Sequence, residues 1–174
     1  MEFINIYIKQ IINYDLINKF KYTSVNSFPK IQKINLNFEC RTSFLKILLP
    51  SLVALEIISA QKSVLTYAKE SNIQFKIKKG SPVSCTVVLR KKPMLLFVSN
   101  LIVLLSNKKV QLKTFLVKKK KMFSFVIKNP LIFDVLEKRY SYFNQLTRLN
   151  ITIVSNSKNK VELKFLLNSL KVLN

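Results

Sequence analysis

The chain has 174 residues, enough for one domain with a real core, and sets 30 Lys and Arg against 8 Asp and Glu, a formal charge of +22. It has no histidine and a single glycine, so the usual general base is missing and a glycine-rich nucleotide loop is argued against. The carboxylates are scattered and the two cysteines, Cys40 and Cys85, lack metal-ligand spacing, which leaves a polyanion, nucleic acid or anionic membrane, as the partner the charge favours.

Residues 2–21 set Ile4, Ile8, Ile11, Ile12, Leu16 and Phe20 at helical spacing, which predicts an amphipathic helix docked on the core. A polar loop over 23–28 ends at Pro29. The β-branched run over 29–37 then predicts a strand, although Ile31 does not share the parity of Ile34 and Leu36. A helix is predicted over 43–59 with Leu48, Leu52, Leu55 and Ile58 as its buried stripe. Pro50 lies inside it, so the helix either starts there or is broken there.

Residues 54–90 read as the end of that helix, a polar loop with Gln61 and Lys62, and two short strands around a basic turn. Lys76, Lys78, Lys79 and Gly80 form the turn and Pro82 closes it. Glycine takes φ > 0 and lets another backbone come close, and the lysines add charge at the same spot. A strand over 84–90, a linker at 91–92 and an apolar helix over 93–106 follow, with Met94, Phe97, Leu101, Leu104 and Leu105 on one side. Residues 108–121 are the most basic run and end in Lys118, Lys119, Lys120 and Lys121. Such a block is either a solvated loop tip or an arm that binds nucleic acid. Strands are predicted over 122–128 and 149–154, and a closing helix over 161–170 with Leu163, Leu166, Leu167 and Leu170 as its stripe. The cysteines read as buried thiols, with a disulfide between them left open.

The order Ala54-Leu55-Glu56, Gln61-Lys62, Thr66, Ala68-Lys69, Ser71, Phe75-Lys76-Ile77, Lys79-Gly80, Pro82, Cys85, Val87, Leu89-Arg90 resembles the ribosomal large-subunit protein L-five family, in register and without a gap. Tyr14-Asp15-Leu16 with Lys19-Phe20-Lys21-Tyr22, the strand over 29–37, Leu131-Ile132-Phe133 and Ile151-Thr152-Ile153-Val154 extend the resemblance over about 14–170. The chain departs from the pattern in several places. Phe38-Glu39-Cys40 replaces a Gly-x-Gly turn, Ala60 a glycine, Lys91-Lys92 an Arg-Gly pair, Asp134 a proline and Val88 a threonine, and the loop at 107–121 lacks the family's glycines.

The resemblance implies an α+β fold for 1–174, with an N-terminal helix over 2–21 and a core over 22–174. It implies a mostly antiparallel sheet, helices packed on one face and RNA-binding loops. The implied role is a structural constituent of the large ribosomal subunit in the central protuberance, not an enzyme. Implied partners are large-subunit rRNA, 5S rRNA where present, neighbouring protuberance proteins, a small-subunit bridge protein and, through 107–121, P-site tRNA. In the family the strand-end asparagine, a glutamine and a threonine contact 5S rRNA; Asn37 and Gln61 match two of them, while Val88 cannot form the third hydrogen bond. Without the resemblance, Asn37 and Gln61 also read as amides capping neighbouring turns.

The expected RNA-binding residues are Asn37, Gln61, Lys62, Thr66, Lys69, Lys76, Lys78, Lys79, Gly80, Arg90, Lys118, Lys119, Lys120 and Lys121. No catalytic residue, metal, cofactor or membrane partner is expected. The richness in Lys, Asn and Ile fits an AT-rich genome, and MEFINIYIKQ reads as neither a signal nor a transit peptide. An organelle-encoded protein is therefore expected, mitochondrial, with the plastid as the alternative. Two other classes keep some support from composition: a basic peripheral membrane protein using the 93–106 helix, and an RNA-modifying enzyme such as a methyltransferase, which the lone glycine argues against.

Overall fold

A computed structural model of the chain describes residues 2–40, 45–107, 113–115 and 122–172. The N-terminal segment is helical from α1 (Glu2–Tyr7) through a π-helical turn (Ile8–Ile12) into α2 (Asn13–Lys19). Ile12 and Leu16 are fully buried, and Ile8 and Phe20 pack against the core. Ile11 departs from the predicted stripe and is 47% exposed. A π turn holds an extra residue, and that residue shifts the inward face to a four-residue step and turns Ile11 outward.

Alternation builds the middle of the fold. In β1 (Ile31–Glu39) the side chains of Ile34, Leu36 and Phe38 are all buried, and the residues between them lie on the other face. A register irregularity between Ile31 and Lys33 explains why Ile31 breaks parity. The strand also runs past the predicted end, through Phe38 to Glu39, where the related pattern turns. Helix α3 (Leu45–Ser59) follows, then β2 (Val64–Tyr67), β3 (Pro82–Leu89), α4 (Lys91–Asn107), β4 (Lys113–Phe115) and β5 (Met122–Ile127). A 3-10 turn at Pro130–Ile132, the short helices α5 (Asp134–Glu137) and α6 (Tyr140–Phe143), β6 (Leu149–Ser155) and α7 (Lys160–Ser169) complete the order.

The strands form one antiparallel sheet in the order β2-β3-β1-β6-β5-β4. Its core face carries Cys85, Val87 and Leu89 from β3, Phe123, Phe125 and Ile127 from β5, and Leu149, Ile151 and Ile153 from β6 beside the β1 residues. The helices supply Leu48, Ala54, Leu55, Phe97, Leu101, Leu163 and Leu167 to the same core. The expected α+β architecture is the one observed.

Helix α3 neither starts nor breaks at Pro50; the proline lies inside it. Its buried residues are Leu48, Ser51, Ala54, Leu55 and Ser59, so the stripe is rotated from the predicted one towards small side chains that allow close approach to the sheet. The Ser51 hydroxyl donates to the Ile47 carbonyl at 2.6 Å, next to the site where the proline supplies no N–H. Packing on both sides of Pro50 outweighs its propensity. Residues 91–92 are likewise not a linker but the first turn of α4. In α7 the Glu162 carboxylate accepts from the backbone N–H groups of Lys158 and Asn159, at 2.9 and 3.4 Å, which fixes the helix start.

Cys40 and Cys85 are free thiols, both buried. The register pairs Phe38 with Cys85, and the Cys40 N–H donates to Val83, so the two cysteines share the core face as diagonal neighbours. The Cys40 thiol donates to the Ser51 hydroxyl at 3.6 Å and the Cys85 thiol to the Leu48 carbonyl at 3.7 Å; the neighbouring thiol draws Cys40 below the usual thiol range and, with burial, pushes Cys85 above it. The two faces of the sheet should respond differently to substitution. Leu36→Ala is expected to lower the free energy of unfolding by about 3 kcal/mol. Val88→Thr, on the opposite face, should change it by less than about 0.5 kcal/mol. Urea unfolding of both variants checks the pair.

Candidate nucleic-acid interface

Side chains alternate across a strand, so burying Ile34, Leu36 and Phe38 commits Asn35, Asn37 and Glu39 to the face away from the core. The register then fixes their neighbours. One cross-strand row reads Val88, Asn35, Thr152, Ser124, and the next reads Val64, Thr86, Asn37, Asn150, Val126. A third brings Thr66 beside Ser84 and Glu39. The face therefore mixes amides and hydroxyls with Val64, Val88 and Val126, while the opposite face carries the apolar core.

Most of these groups are already engaged. Ser124 and Thr152 share a hydrogen bond at 2.9 Å. The Thr86 hydroxyl donates to the Val64 carbonyl at 3.4 Å, and the Asn150 amide donates to Glu39 at 2.6 Å. The Thr66 and Ser84 hydroxyls bond each other. Asn35 and Asn37 differ: the Oδ1 atom of each is buried and has no hydrogen-bond partner among the described residues. A buried acceptor left unmade costs about 1–3 kcal/mol, and asparagine is depleted in strands to begin with.

A basic loop, residues 68–81, joins β2 to β3. Its stalk is held by mutual backbone bonds between Ala68 and the Gly80–Ser81 end, at 2.9 Å each. Its tip is a small hairpin closed by two 2.9 Å bonds between Asn72 and Ile77. Lys69, Lys76, Lys78 and Lys79 are all exposed on it, and Ile73 at the tip is 93% exposed. The expected single basic turn is thus two turns. Lys76 closes the tip with φ 52°, and Lys78 begins the turn that Gly80 passes through with φ 81°. A Cβ at Gly80 would meet nothing within 4 Å, so the glycine is required for its dihedral and not for room. Glu70 is the only carboxylate in the loop, and residues 71–133 contain no acidic side chain.

The structure brings part of the expected set together. Asn37 lies at the centre of the open face and Thr66 at its β2 edge. Gln61 and exposed Lys62 precede β2, and Arg90 lies exposed just past the end of β3. The loop lysines and Gly80 project from the β2–β3 end. Lys118, Lys119, Lys120 and Lys121 lie outside the described residues. The expected set omits Asn35, Asn150 and Thr152. Strand alternation outward from the buried Leu36 and Ile151 is the signal that finds them. Ala60, which replaces a glycine just before Gln61, keeps the backbone that glycine favours, with φ 51°; Lys91 also has φ 51°.

Among the described residues no cluster of His, Cys, Asp or Glu could hold a metal, and no helix is long and apolar enough to cross a membrane. No family model matches the chain. The curated proteins it resembles include the large ribosomal subunit protein uL5m of Reclinomonas americana, 36% identical over 169 residues, which covers 94% of this chain and 93% of the relative. The large ribosomal subunit protein uL5 of Wigglesworthia glossinidia brevipalpis is 38% identical over 152 residues, 84% of each chain. That of Nitrosomonas eutropha is 35% identical over 171 residues, 94% of this chain and 93% of the relative.

Gly80→Ala should cost about 1 kcal/mol of stability through its left-handed backbone alone. Gly80→Asn should cost less, because asparagine tolerates that region. Thermal unfolding of the two variants ranks them.

Proposed function

The chain belongs to the uL5 family of large ribosomal subunit proteins, structural components and not enzymes, and on that premise we propose that its open sheet face and the 68–81 loop bind rRNA in the central protuberance. The observation that carries the reading is the division of labour between the outward sheet face and the basic loop that joins β2 to β3. Amides and hydroxyls on the sheet suit sugar and base edges, and exposed lysines on the adjoining loop suit phosphates. Structured RNA is recognised through its shape, its phosphates and its 2′-hydroxyls.

In this reading Asn37 and Thr66 act on the sheet. Gln61, Lys62 and Arg90 act at its ends, and Lys69, Lys76, Lys78, Lys79 and Gly80 act on the loop. Lys118, Lys119, Lys120 and Lys121 would add phosphate contacts. Large-subunit rRNA is the principal partner, and 5S rRNA joins it where the ribosome contains one. Neighbouring proteins of the protuberance, a small-subunit bridge protein and P-site tRNA are the further partners of that location. The mitochondrial ribosome is the proposed site, supported by the uL5m relative and by the Lys-, Asn- and Ile-rich composition.

The test is a titration of the full chain with transcripts of its own 5S and large-subunit rRNA at several salt concentrations. Binding should weaken with salt at a slope of roughly 0.7–0.9 per phosphate neutralised. The double variant Lys78→Ala/Lys79→Ala should lower that slope by about 1–2 without altering thermal unfolding. Failure to bind either transcript, or liposome binding that survives nuclease, would overturn the reading.

A further inference from the structure

We infer that a groove on the helical layer, between α1, α4 and the end of α7, docks an acidic amphipathic helix of a neighbouring large-subunit protein. The inference stands apart from the rRNA reading. It concerns the layer across the sheet from the outward amide face, and it needs only the chain's membership of the large subunit.

Helix α4 carries the first observation. Residues 93–107 contain no charged side chain, in a chain of which 22% is charged. A helix on the surface of a domain normally turns charged or polar groups to water. Here Phe97, Val98 and Leu101 are buried in the core, while Leu96 and Val103, two turns apart on one side, are 40% and 55% exposed. The helix is thus more apolar than its packing on the sheet requires.

Beside Val103 the surface is concave. Ile4 and Tyr7 of α1, Ile102 and Val103 of α4, and Leu170 and Lys171 at the end of α7 line a groove of about 320 Å³. Its hydroxyls are turned into the protein. Tyr7 donates to the Ser169 carbonyl at 3.2 Å, Ser99 to the Leu96 carbonyl at 2.6 Å, and Ser169 to the Phe165 carbonyl at 2.9 Å. The convergent polar groups that fix a small molecule are therefore lacking.

Charge selects the occupant. Lys160 and Lys164 are exposed on α7, one turn apart, and Lys171 is exposed where the chain reverses at the helix end with φ 54°. The one acid of α7, Glu162, is buried and held by the N–H groups of Lys158 and Asn159. An apolar groove beside these lysines matches a helix with apolar anchors at i, i+3 or i+4, and i+7 and carboxylates along its flank. A second copy fits poorly, because each copy carries +22 and would set lysines against lysines. Nucleic acid would meet aliphatic walls that offer its phosphates nothing. A bilayer surface is flat and does not follow a concave wall.

The experiment places a photoactivated benzophenone side chain at position 103 of the full chain in assembled large subunits. The crosslinked product should be a protein segment that repeats apolar residues at helical spacing and carries carboxylates. That segment, made as a peptide, is then titrated with the full chain. Val103→Glu sets a carboxylate in the apolar wall and should weaken peptide binding about tenfold, or about 1.4 kcal/mol. Its melting temperature should match wild type, because the side chain it replaces is half exposed. Lys171→Gly, whose backbone suits φ 54°, should keep its melting temperature and still weaken the peptide about two- to fivefold; it carries the test if the glutamate variant does not fold. Titration with rRNA should not distinguish either variant from wild type, so the two readings stand or fall separately. Crosslinks to rRNA or lipid alone, to a second copy of the chain, or to no protein would overturn the inference. So would a crosslinked segment without carboxylates, or a peptide that binds both variants as tightly as wild type.

Discussion

The structure depends on the two-sidedness of one strand. β1 lies in the interior of the sheet, bonded to β3 on one side and β6 on the other, and a strand so placed must satisfy both faces at once. Its even-numbered residues Ile34, Leu36 and Phe38 form the floor of the core, which fixes the register absolutely, since a slip of one residue would send three large apolar groups to solvent. The same register then dictates, with no further freedom, that Asn35 and Asn37 point away from the core. The polar face is thus a geometric consequence of the hydrophobic one.

The helical layer answers to that sheet. α3 presents Ser51 and Ala54 to the core and tolerates Pro50 because packing on either side holds its axis. Its C-terminal end and the start of α4 both border the face beyond it. Ala60 takes the left-handed conformation that reverses the chain towards Gln61 and β2, and Lys91 takes it where β3 gives way to α4. An L-residue adopts that region at a cost of roughly 1–2 kcal/mol. Ala60 and Lys91 are two of four such non-glycine positions among the described residues, in a chain nearly without glycine, and they show that tertiary contacts can impose a backbone that composition alone would not select.

Charge and hydrogen-bonding groups are separated in space on the proposed RNA side. The lysines occupy exposed, locally hydrogen-bonded turns of the 68–81 loop, free to approach phosphates. The amides occupy the rigid middle of the sheet, where their positions are set by six paired strands. Electrostatics of this kind supply affinity and approach, while fixed amides and hydroxyls supply discrimination. The replacement of a threonine by Val88 fits the same division.

Much of this was legible in the sequence. Net charge, the absence of histidine and the near absence of glycine excluded most enzyme classes, and the motif order from Ala54 to Arg90 carried the family. Period-two and helical patterns located the strands over 29–37, 84–90, 122–128 and 149–154 and the helices, because burial of one face leaves a repeat in the chain itself. What the sequence could not give was the partnership between distant segments. Asn35 beside Val88 and Thr152, Asn150 beside Asn37 and Glu39, and Thr66 beside Ser84 are pairs separated by 18 to 117 positions, and they exist only once the sheet order is set. Pattern reports which face a residue occupies; which neighbours it meets, and whether they leave its hydrogen bonds unfilled, is decided by the register between strands, a long-range property that only the folded chain defines.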